Sequence, residues 1–391
     1  MNQRRKLIAV SIAAAFAVVL PAALSTPALA QGEPFRIGTI LSVTGPGAFL
    51  GDHMRRGMEL AIEEINAKGG INGRKIEWVF YDAETQASKA VTSVRRLIEQ
   101  DKVDMIVGGG NASGLALAMV PIVEKAEVPF ISTEGAMSIV NPVSARKWTF
   151  KSTIDDDQIL ERAADSFAKR GITSIALLHD STGFGQSAKE QMEKVAPRRG
   201  LKVVYESFNP ADTDLTAQIT RIRASDAKAV ICWTIVPTGV VFLKQARQLG
   251  LGDRVLMHSY GFVDDRYMKQ AEGAAIGIDL MSVKFPVGND LAASDPVKQR
   301  IADLTTRYLK RYNQAPNQFV AQTYDAIYIA AEALKAGGKD KAKVRAALEG
   351  IRNFPGVGGN FNFSPTAHSG LAKNDGVVIN WTANGWKLAP Y

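Results

Sequence analysis

The sequence predicts an α/β fold with parallel sheets, divided into two domains, and three observations support this prediction. The segment 36–85 has the pattern strand, glycine-rich turn, helix, turn, strand. Apolar strands and amphipathic helices then alternate along the chain, which is the rhythm of βαβ units. About 360 residues follow an N-terminal apolar segment, and that length suggests two domains.

The first βαβ unit is the most informative part of the chain. Residues 36–42 form a short apolar run that suits a parallel strand, and the turn at 44–47 contains two glycines and a proline. A helix follows, with apolar residues at helical spacing: Met54, Met58, Ala61 and Ile65. The glycine-rich stretch 69–73 ends this helix, and 76–81 supplies the next strand. The first turn therefore lies at the carboxyl end of a strand, where open α/β sheets hold ligands.

The later elements follow the same rhythm. Strands are predicted at 105–108, 129–132, 174–179, 202–208, 228–234, 254–259, 377–381 and 386–388. Helices are predicted at 114–127, 185–199, 215–224, 239–249, 296–312 and 319–336. The carboxylates Asp155, Asp156 and Asp157 precede an apolar stripe and indicate another helix N-terminus, after a connection at 146–153 that crosses to a second unit.

Residues 1–30 have the composition of a secretory signal peptide. A basic start at 4–6 precedes an apolar run at 7–20, and Ala28-Leu29-Ala30 forms a small-x-small cleavage site. The run is shorter than the roughly 20 residues that a membrane-spanning helix needs, which favours cleavage over a retained anchor. We therefore expect a soluble exported protein whose mature chain begins at Gln31.

Composition and charge exclude several classes of function. The chain carries 47 Lys and Arg against 39 Asp and Glu, a net charge of +8, and these residues are intermixed rather than clustered. Nucleic acid is therefore not an expected partner. The single cysteine, Cys232, excludes an internal disulfide, and it lies within the apolar stretch 229–233, which predicts a buried core position.

No residue pattern indicates catalysis or a metal site. The segment GGGNASG at 108–114 follows a strand and opens a helix, so its N–H groups can bind a carboxylate; a merely tight turn and a nucleotide site are the alternatives. The histidines are isolated in sequence, which argues against metal binding: His53, His179, His258 and His368. An SxxK match at 166–169 falls in mid-helix, and no G-x-S-x-G follows a strand. We expect no enzyme activity and no cofactor.

Four blocks of the first βαβ unit carry a family resemblance. They are S-x-T-G-P at 42–46, Gly51-Asp52, AIEEINAKGGINGRKIE at 61–77 and Tyr81-Asp82. On these blocks the chain resembles the leucine/isoleucine/valine-binding family of periplasmic solute receptors, and the likeness continues to the C-terminus. The resemblance implies a type I periplasmic binding fold. In this fold two Rossmann-like lobes, joined by three hinge crossovers, close over a ligand in the cleft between them.

The same resemblance implies how the chain is divided and what it works with. Lobe 1 is expected to comprise 32–152 and 283–365, and lobe 2 to comprise 153–282 and 366–391. The receptor is expected in the periplasm, as a monomer that delivers a small-molecule ligand to an ABC permease in the inner membrane. A ligand sensor of the same fold is an alternative function.

The family pattern also picks out the ligand-binding positions. In amino-acid receptors of this family, turns after the third and fourth strands hold the ligand's α-carboxylate and α-ammonium, and side chains of both lobes cover it. The corresponding residues of this chain are Phe49, Leu50, Gly110, Asn111, Ala112, Ser113, Glu134, Gly135, Ala136, Phe184, Ile235, Tyr260 and Phe319. Ala136 replaces a threonine, and Tyr260 replaces a glutamate, that would bind the ammonium.

Those two replacements predict the class of ligand. A buried ammonium without an anionic partner costs several kcal/mol, so a zwitterion is expected to bind poorly. A small aromatic or branched aliphatic carboxylate, held by backbone N–H groups with its tail among apolar side chains, fits better. Branched-chain or other amino acids are the alternative ligands. Glu134 leaves both classes of ligand open, because its side chain either points away from the ligand or supplies the missing anionic partner of an ammonium group. Ile235 is alternatively a plain core residue.

Overall fold

The computed structural model describes residues 32–391, and the predicted signal peptide at 1–30 lies outside the described residues. In chain order, the strands are β1 (Phe35–Leu41), β2 (Ile76–Asp82), β3 (Met105–Val107), β4 (Phe130–Ser132), β5 (Thr149–Lys151), β6 (Ser174–Asp180), β7 (Lys202–Phe208), β8 (Ala229–Trp233), β9 (Val255–His258), β10 (Asp279–Val283), β11 (Phe354–Pro355), β12 (Asn360–Phe361), β13 (Gly376–Thr382) and β14 (Gly385–Leu388).

The helices alternate with these strands. They are α1 (Ala48–Ala67), α2 (Ala87–Glu99), α3 (Ser113–Ala126), α4 (Asp156–Lys169), α5 (Gly183–Arg199), α6 (Thr216–Ala224), α7 (Thr238–Gln248), α8 (Asp265–Ala271), α9 (Pro296–Tyr312), α10 (Gln318–Gly337) and α11 (Lys341–Gly350). Every helix and strand predicted from the pattern is present, with ends shifted by a few residues. The pattern missed α2, α8 and α11, which bury only three, three and two residues, so their apolar stripes are narrow.

The first sheet is entirely parallel, in the order β2-β1-β3-β4-β5. Strand β1 pairs with β2 on one side and with β3 on the other, and it is buried at six of its seven positions. Burial on both faces is typical of a strand covered by helices, and it explains the continuous apolar run. The segment predicted as a mere connection at 146–153 contains β5, whose three residues are all buried at the sheet edge.

The second sheet has seven strands in the order β14-β13-β10-β9-β8-β6-β7. Strands β6 to β10 run parallel to one another, whereas β13 pairs antiparallel with both β10 and β14. Residues from the C-terminal part of the chain therefore complete the sheet that the middle part begins. The chain changes sheet after β5, returns after β10 to pack α10 on α1, and joins the second sheet again at β13. This order agrees with three crossovers; the limits of the lobes stay a prediction.

Helix α10 closes tightly on α1 beside the first sheet. At Gly57 of α1, a Cβ atom would approach the carbonyl oxygen of Val320 in α10 to 2.5 Å, so only glycine permits this approach of the two helices. The contact matters because the first turn of α10 also reaches the carboxyl ends of the strands. Within residues 32–391, none of the helices has the length and apolar character needed to cross a bilayer.

Candidate functional site

A small cavity lies between the two sheets, where the carboxyl ends of their parallel strands meet. Its volume is about 40 Å³, and its wall is formed by Leu50, Met54, Asn111, Ser113, Thr133, Glu134, Gly135, Phe184, Ile235, Tyr260, Gly261, Phe319 and Gln322. The turns after β3, β4, β8 and β9, the first two turns of α1 and α10 and the first turn of α5 supply these residues. This is the position at which open α/β sheets bind ligands. A larger groove of about 680 Å³, around the 315–318 loop, contains none of the sequence-predicted residues.

The structure brings most of the predicted site residues to this one cavity. Nine of the thirteen line it, and four do not: Phe49, Gly110, Ala112 and Ala136. The wall also contains four residues that the sequence analysis did not select: Met54, Thr133, Gly261 and Gln322. Helical spacing could have found two of them, because Met54 lies one turn beyond Leu50 on α1 and Gln322 lies one turn beyond Phe319 on α10.

The four predicted residues that do not line the cavity make other contacts within the protein. Phe49 packs edge-on against Tyr267 with ring centroids 5.1 Å apart, and its carbonyl accepts from Arg266 at 2.7 Å. The N–H group of Gly110 donates to the Ile40 carbonyl at 2.9 Å. Ala112 occupies the N-cap position of α3, and the N–H group of Ala136 donates to the Ser113 hydroxyl. The backbone N–H groups of Gly110 and Ala136 are therefore used within the protein.

Glu134 occupies the glycine-rich turn after β3. Its Oε1 accepts from the N–H groups of Gly109 at 2.9 Å and Asn111 at 3.2 Å, and its Oε2 accepts from the Thr133 N–H at 2.9 Å. Hydroxyls of Ser132 and Thr133 also donate to it, at 2.6 and 3.0 Å. Burial raises the pKa of the Glu134 carboxyl, and these hydrogen bonds oppose that shift. The sequence predicts that N–H groups of this turn hold a ligand's carboxylate, whereas in the structure those of Gly109 and Asn111 bind a carboxylate of the chain itself.

Ser113 has a hydroxyl group that can donate a hydrogen bond to a ligand in the cavity. It is the first residue of α3, and its Oγ accepts from the Ala136 N–H at 3.1 Å. The hydroxyl hydrogen of Ser113 is therefore directed elsewhere, and the residue lines the cavity at the positive end of a helix. An anionic group of a ligand can accept this hydrogen bond.

Tyr260 and Asp156 form a buried pair on the opposite side. The Tyr260 hydroxyl donates to Oδ1 of Asp156 at 2.8 Å, and Oδ2 of Asp156 accepts from the N–H of Met137 at 3.3 Å and from the Ser187 hydroxyl. Burial raises the pKa of Asp156 to about 6, partly offset by Lys151. The sequence assigned Asp156 only to a helix N-terminus, and nothing in the local pattern indicates its contact with Tyr260.

Two oxygen atoms in the site can each accept a further hydrogen bond. The Tyr260 oxygen gives its hydrogen to Asp156, so toward the cavity it can only accept. The Asn111 amide donates to the carbonyls of Ser42 and Gly47 at 2.7 and 3.2 Å, and this orientation leaves its buried Oδ1 without a partner among the described residues. A ligand that carries a hydrogen-bond donor could use both atoms.

Aromatic rings form the apolar wall. Phe184 and Tyr260 of the wall contact each other and Trp233, which does not itself line the cavity, with ring centroids 5.2 to 5.7 Å apart. Leu50 and Met54 add aliphatic surface from α1, and the side chains of the wall are largely buried. Burial of an apolar tail here is worth roughly 25 cal/mol per Å² removed from water.

Contacts also join the two sides of the cleft. Beside the Asp156–Met137 hydrogen bond, Gln318 of α10 donates to the Tyr260 carbonyl across the cleft. Gln322 of the same helix donates to the Thr133 carbonyl on the side of the first sheet. Lys151 of β5 is fully buried and donates to the Gly135 carbonyl at 2.6 Å while it pairs with Asp155. The side chains that line the cavity include no Lys or Arg among the described residues, so a ligand anion must rely on neutral donors and helix dipoles.

The four histidines and the cysteine are buried among other side chains. His258 stacks on Phe262 with ring centroids 3.8 Å apart, and burial lowers the pKa of its imidazole to about 3. Burial raises the pKa of the Cys232 thiol well above its usual value. In the part of the chain that the structure describes, no group of three His, Cys, Asp or Glu side chains could hold a metal ion.

Comparison with known proteins identifies relatives over nearly the whole chain. A family model described as periplasmic binding protein matches residues 34–385. The chain is 28% identical over 360 residues to Leu/Ile/Val-binding protein homolog 7 of Brucella suis, covering 89% of this chain and 86% of that protein. It is also 28% identical over 361 residues to a leucine-, isoleucine-, valine-, threonine- and alanine-binding protein of Pseudomonas aeruginosa, covering 89% and 90%.

Solved structures share the fold. An extracellular ligand-binding receptor from Rhodopseudomonas palustris HaA2 superposes with a TM-score of 0.83 at 23% identity, covering 91% of this chain and 99% of that one. The leucine-binding protein LivK of Thermotoga maritima gives a TM-score of 0.80 at 23% identity, covering 91% and 97%. The predicted two-lobe α/β fold is therefore confirmed.

Proposed function

The chain belongs to the periplasmic binding protein family, and from this membership we propose that it is the substrate-binding component of an ABC importer, in which it binds a small organic acid. The ligand would be an aromatic or branched aliphatic carboxylate. A signal peptide at 1–30 would direct the protein to the periplasm, where it would act without catalysis and deliver the ligand to a membrane permease.

The choice of a simple acid rests on one observation, which is that the protein itself uses the full hydrogen-bonding capacity of the Glu134 carboxylate. Its two oxygens accept five hydrogen bonds from the protein, whereas a carboxylate offers about four lone-pair sites. Asp156 is likewise engaged with Tyr260, Met137 and Ser187. An ammonium group in the cavity would find no free anionic partner, and burying it would be costly. The hydroxyl of Ser113 and the start of α3 would hold the ligand's carboxylate.

Matched ligand pairs test this class. We expect 4-methylpentanoate to bind more tightly than leucine, and 3-phenylpropionate more tightly than phenylalanine, since each pair differs only by the amino group. The expected difference in Kd is about tenfold or more, which corresponds to roughly 1.4 kcal/mol. Calorimetry on the mature protein measures it, with thermal shift as the first screen. Tighter binding of both amino acids would refute the acid class.

Branched-chain amino acids are the second candidate, and specific atoms favour them. The Tyr260 oxygen and Asn111 Oδ1 are both acceptors beside the cavity, and neither can donate toward it. An α-ammonium could donate to both while Ser113 holds the carboxylate. The Pseudomonas aeruginosa relative is named as binding leucine, isoleucine, valine, threonine and alanine, and the Brucella suis relative is named as a homolog of a Leu/Ile/Val-binding protein; both names agree with this candidate. The matched pairs therefore decide between the two.

The size of the cavity implies that the lobes separate before a ligand enters. About 40 Å³ is far below the roughly 300 Å³ at which small-molecule sites begin. Binding would then shift an equilibrium between open and closed forms, because the ligand contacts both lobes in the closed one.

Small-angle scattering checks this closure. We expect the radius of gyration of the ligand-free protein to decrease when a saturating ligand from the screen is added. The reason is that the bound ligand bridges Ser113 in one lobe and Tyr260 in the other. A radius that stays constant at saturation would contradict the hinge mechanism without affecting the choice of ligand class.

A further inference from the structure

The Glu134 carboxylate lies in the place where the glycine-rich turn would otherwise bind an external anion. Three backbone N–H groups, of Gly109, Asn111 and Thr133, donate to it at 2.9 to 3.2 Å. N–H groups can only donate, and each carboxylate oxygen accepts at least one of them, so the arrangement matches the ionised side chain. The residue is 4% exposed, so no bulk water replaces these bonds.

Resting on the proposed function as a carboxylate receptor, we propose that Glu134 is an internal anion that determines ligand specificity. It fills the N–H cradle formed by Gly109, Asn111 and Thr133. It therefore confines a ligand's carboxylate to Ser113 at the start of α3. The receptor consequently accepts acids with one carboxylate and rejects those with a second carboxylate at this end of the cavity.

The fit of Glu134 leaves no room for a second anion beside it. A Cβ atom at Gly109 would overlap Oε2 of Glu134, and it would approach the Ala116 side chain to 2.7 Å. The buried cation Lys151, which donates to the carbonyl of the adjacent residue Gly135, is also paired with Asp155. A ligand anion placed next to Glu134 would therefore meet a like charge in a water-poor cavity without a compensating cation, which disfavours its ionised form.

Chemical rescue tests the inference without any transported ligand. The variant Glu134→Ala removes a group of about the size of acetate, so the three N–H donors lose their anion. We expect its Tm to fall by several degrees and to recover with acetate or formate in a saturable way. The control is Glu134→Gln, which keeps the volume and blocks the cradle. It and the wild type are expected to respond only as they do to chloride at equal ionic strength.

A rescue curve that does not saturate, or an equal response of all three proteins, would overturn the proposal. If Glu134→Ala does not fold in chloride, the yield of folded protein on refolding in acetate replaces Tm as the readout, with the same criterion. Failure of this rescue leaves the proposed transport function standing. Failure of every acid and amino acid to bind the wild type removes the transport function and leaves the rescue result untouched.

A second measurement addresses specificity directly. Butylmalonate is hexanoate with a second carboxylate on the carbon next to the first, and we expect only hexanoate to stabilise the wild type. In Glu134→Gln the buried charge is gone, so the preference for hexanoate over butylmalonate should shrink about tenfold or more. An unchanged ratio of the two Kd values in Glu134→Gln would show that Glu134 does not set this selectivity.

Discussion

Gly135→Ala is expected to weaken ligand binding strongly while leaving the fold intact. A Cβ atom at position 135 would overlap the Tyr260 hydroxyl and would approach the Phe184 ring to 2.7 Å, and both residues follow strands of the second sheet. The backbone of Gly135 has no positive φ, so alanine itself is not strained there. Overpacking of this kind costs roughly 1–3 kcal/mol, and the cost falls on the closed form. Kd should therefore rise by about 5- to 150-fold.

Gly114→Ala is the matched control for this prediction. Gly114 also belongs to the glycine-rich segment, but a Cβ atom there would meet nothing within 4 Å. Calorimetry should give this control the Kd of the wild type, and urea unfolding should give all three proteins a similar free energy of unfolding. Scattering should show that ligand no longer compacts Gly135→Ala. Normal affinity in Gly135→Ala would mean that ligand does not bind with the two sides this close.

Asp156→Asn is expected to change how stability depends on pH. Burial raises the pKa of Asp156 in the folded protein from its ordinary value of 3.8 to about 6. The folded state thus holds the proton more tightly than the unfolded chain. This contribution to stability is fully present below pH 3.8 and is lost as the pH rises through about 6. At 1.36 kcal/mol per pH unit, the whole effect amounts to roughly 3 kcal/mol.

Urea unfolding of wild type and Asp156→Asn at several pH values between about 4 and 7.5 measures this effect. The free energy of unfolding of the wild type, relative to the variant, should increase as the pH falls across that range. Other buried acids cancel in the difference, including Asp325, whose pKa burial raises to about 7. Within the site, Lys151, Asp155 and Tyr260 face Asp156 and are unchanged in the variant. A difference that does not vary with pH would show that Asp156 titrates normally.

The order of helices and strands follows from the sequence alone. Apolar residues at period 3.6 mark α1, and short apolar runs next to glycine-containing turns mark β1 and β2, because these patterns depend only on neighbours along the chain. The prediction that the turn at 108–114 binds a carboxylate has the same local basis, since it needs only free N–H groups at the start of a helix. The family resemblance supplied most of the cavity wall, because its positions follow strand ends.

The tertiary structure alone decided which groups inside the cavity pair with each other. Glu134 reaches Gly109 across 25 positions of sequence, and Tyr260 reaches Asp156 across 104. No periodicity encodes such pairs, because they depend on how turns from different strands approach when the sheets pack. For the same reason, the sequence left open whether Glu134 faces a ligand or the protein. The folded chain directs it into the β3–α3 turn, where five donors offset the cost of burying its charge.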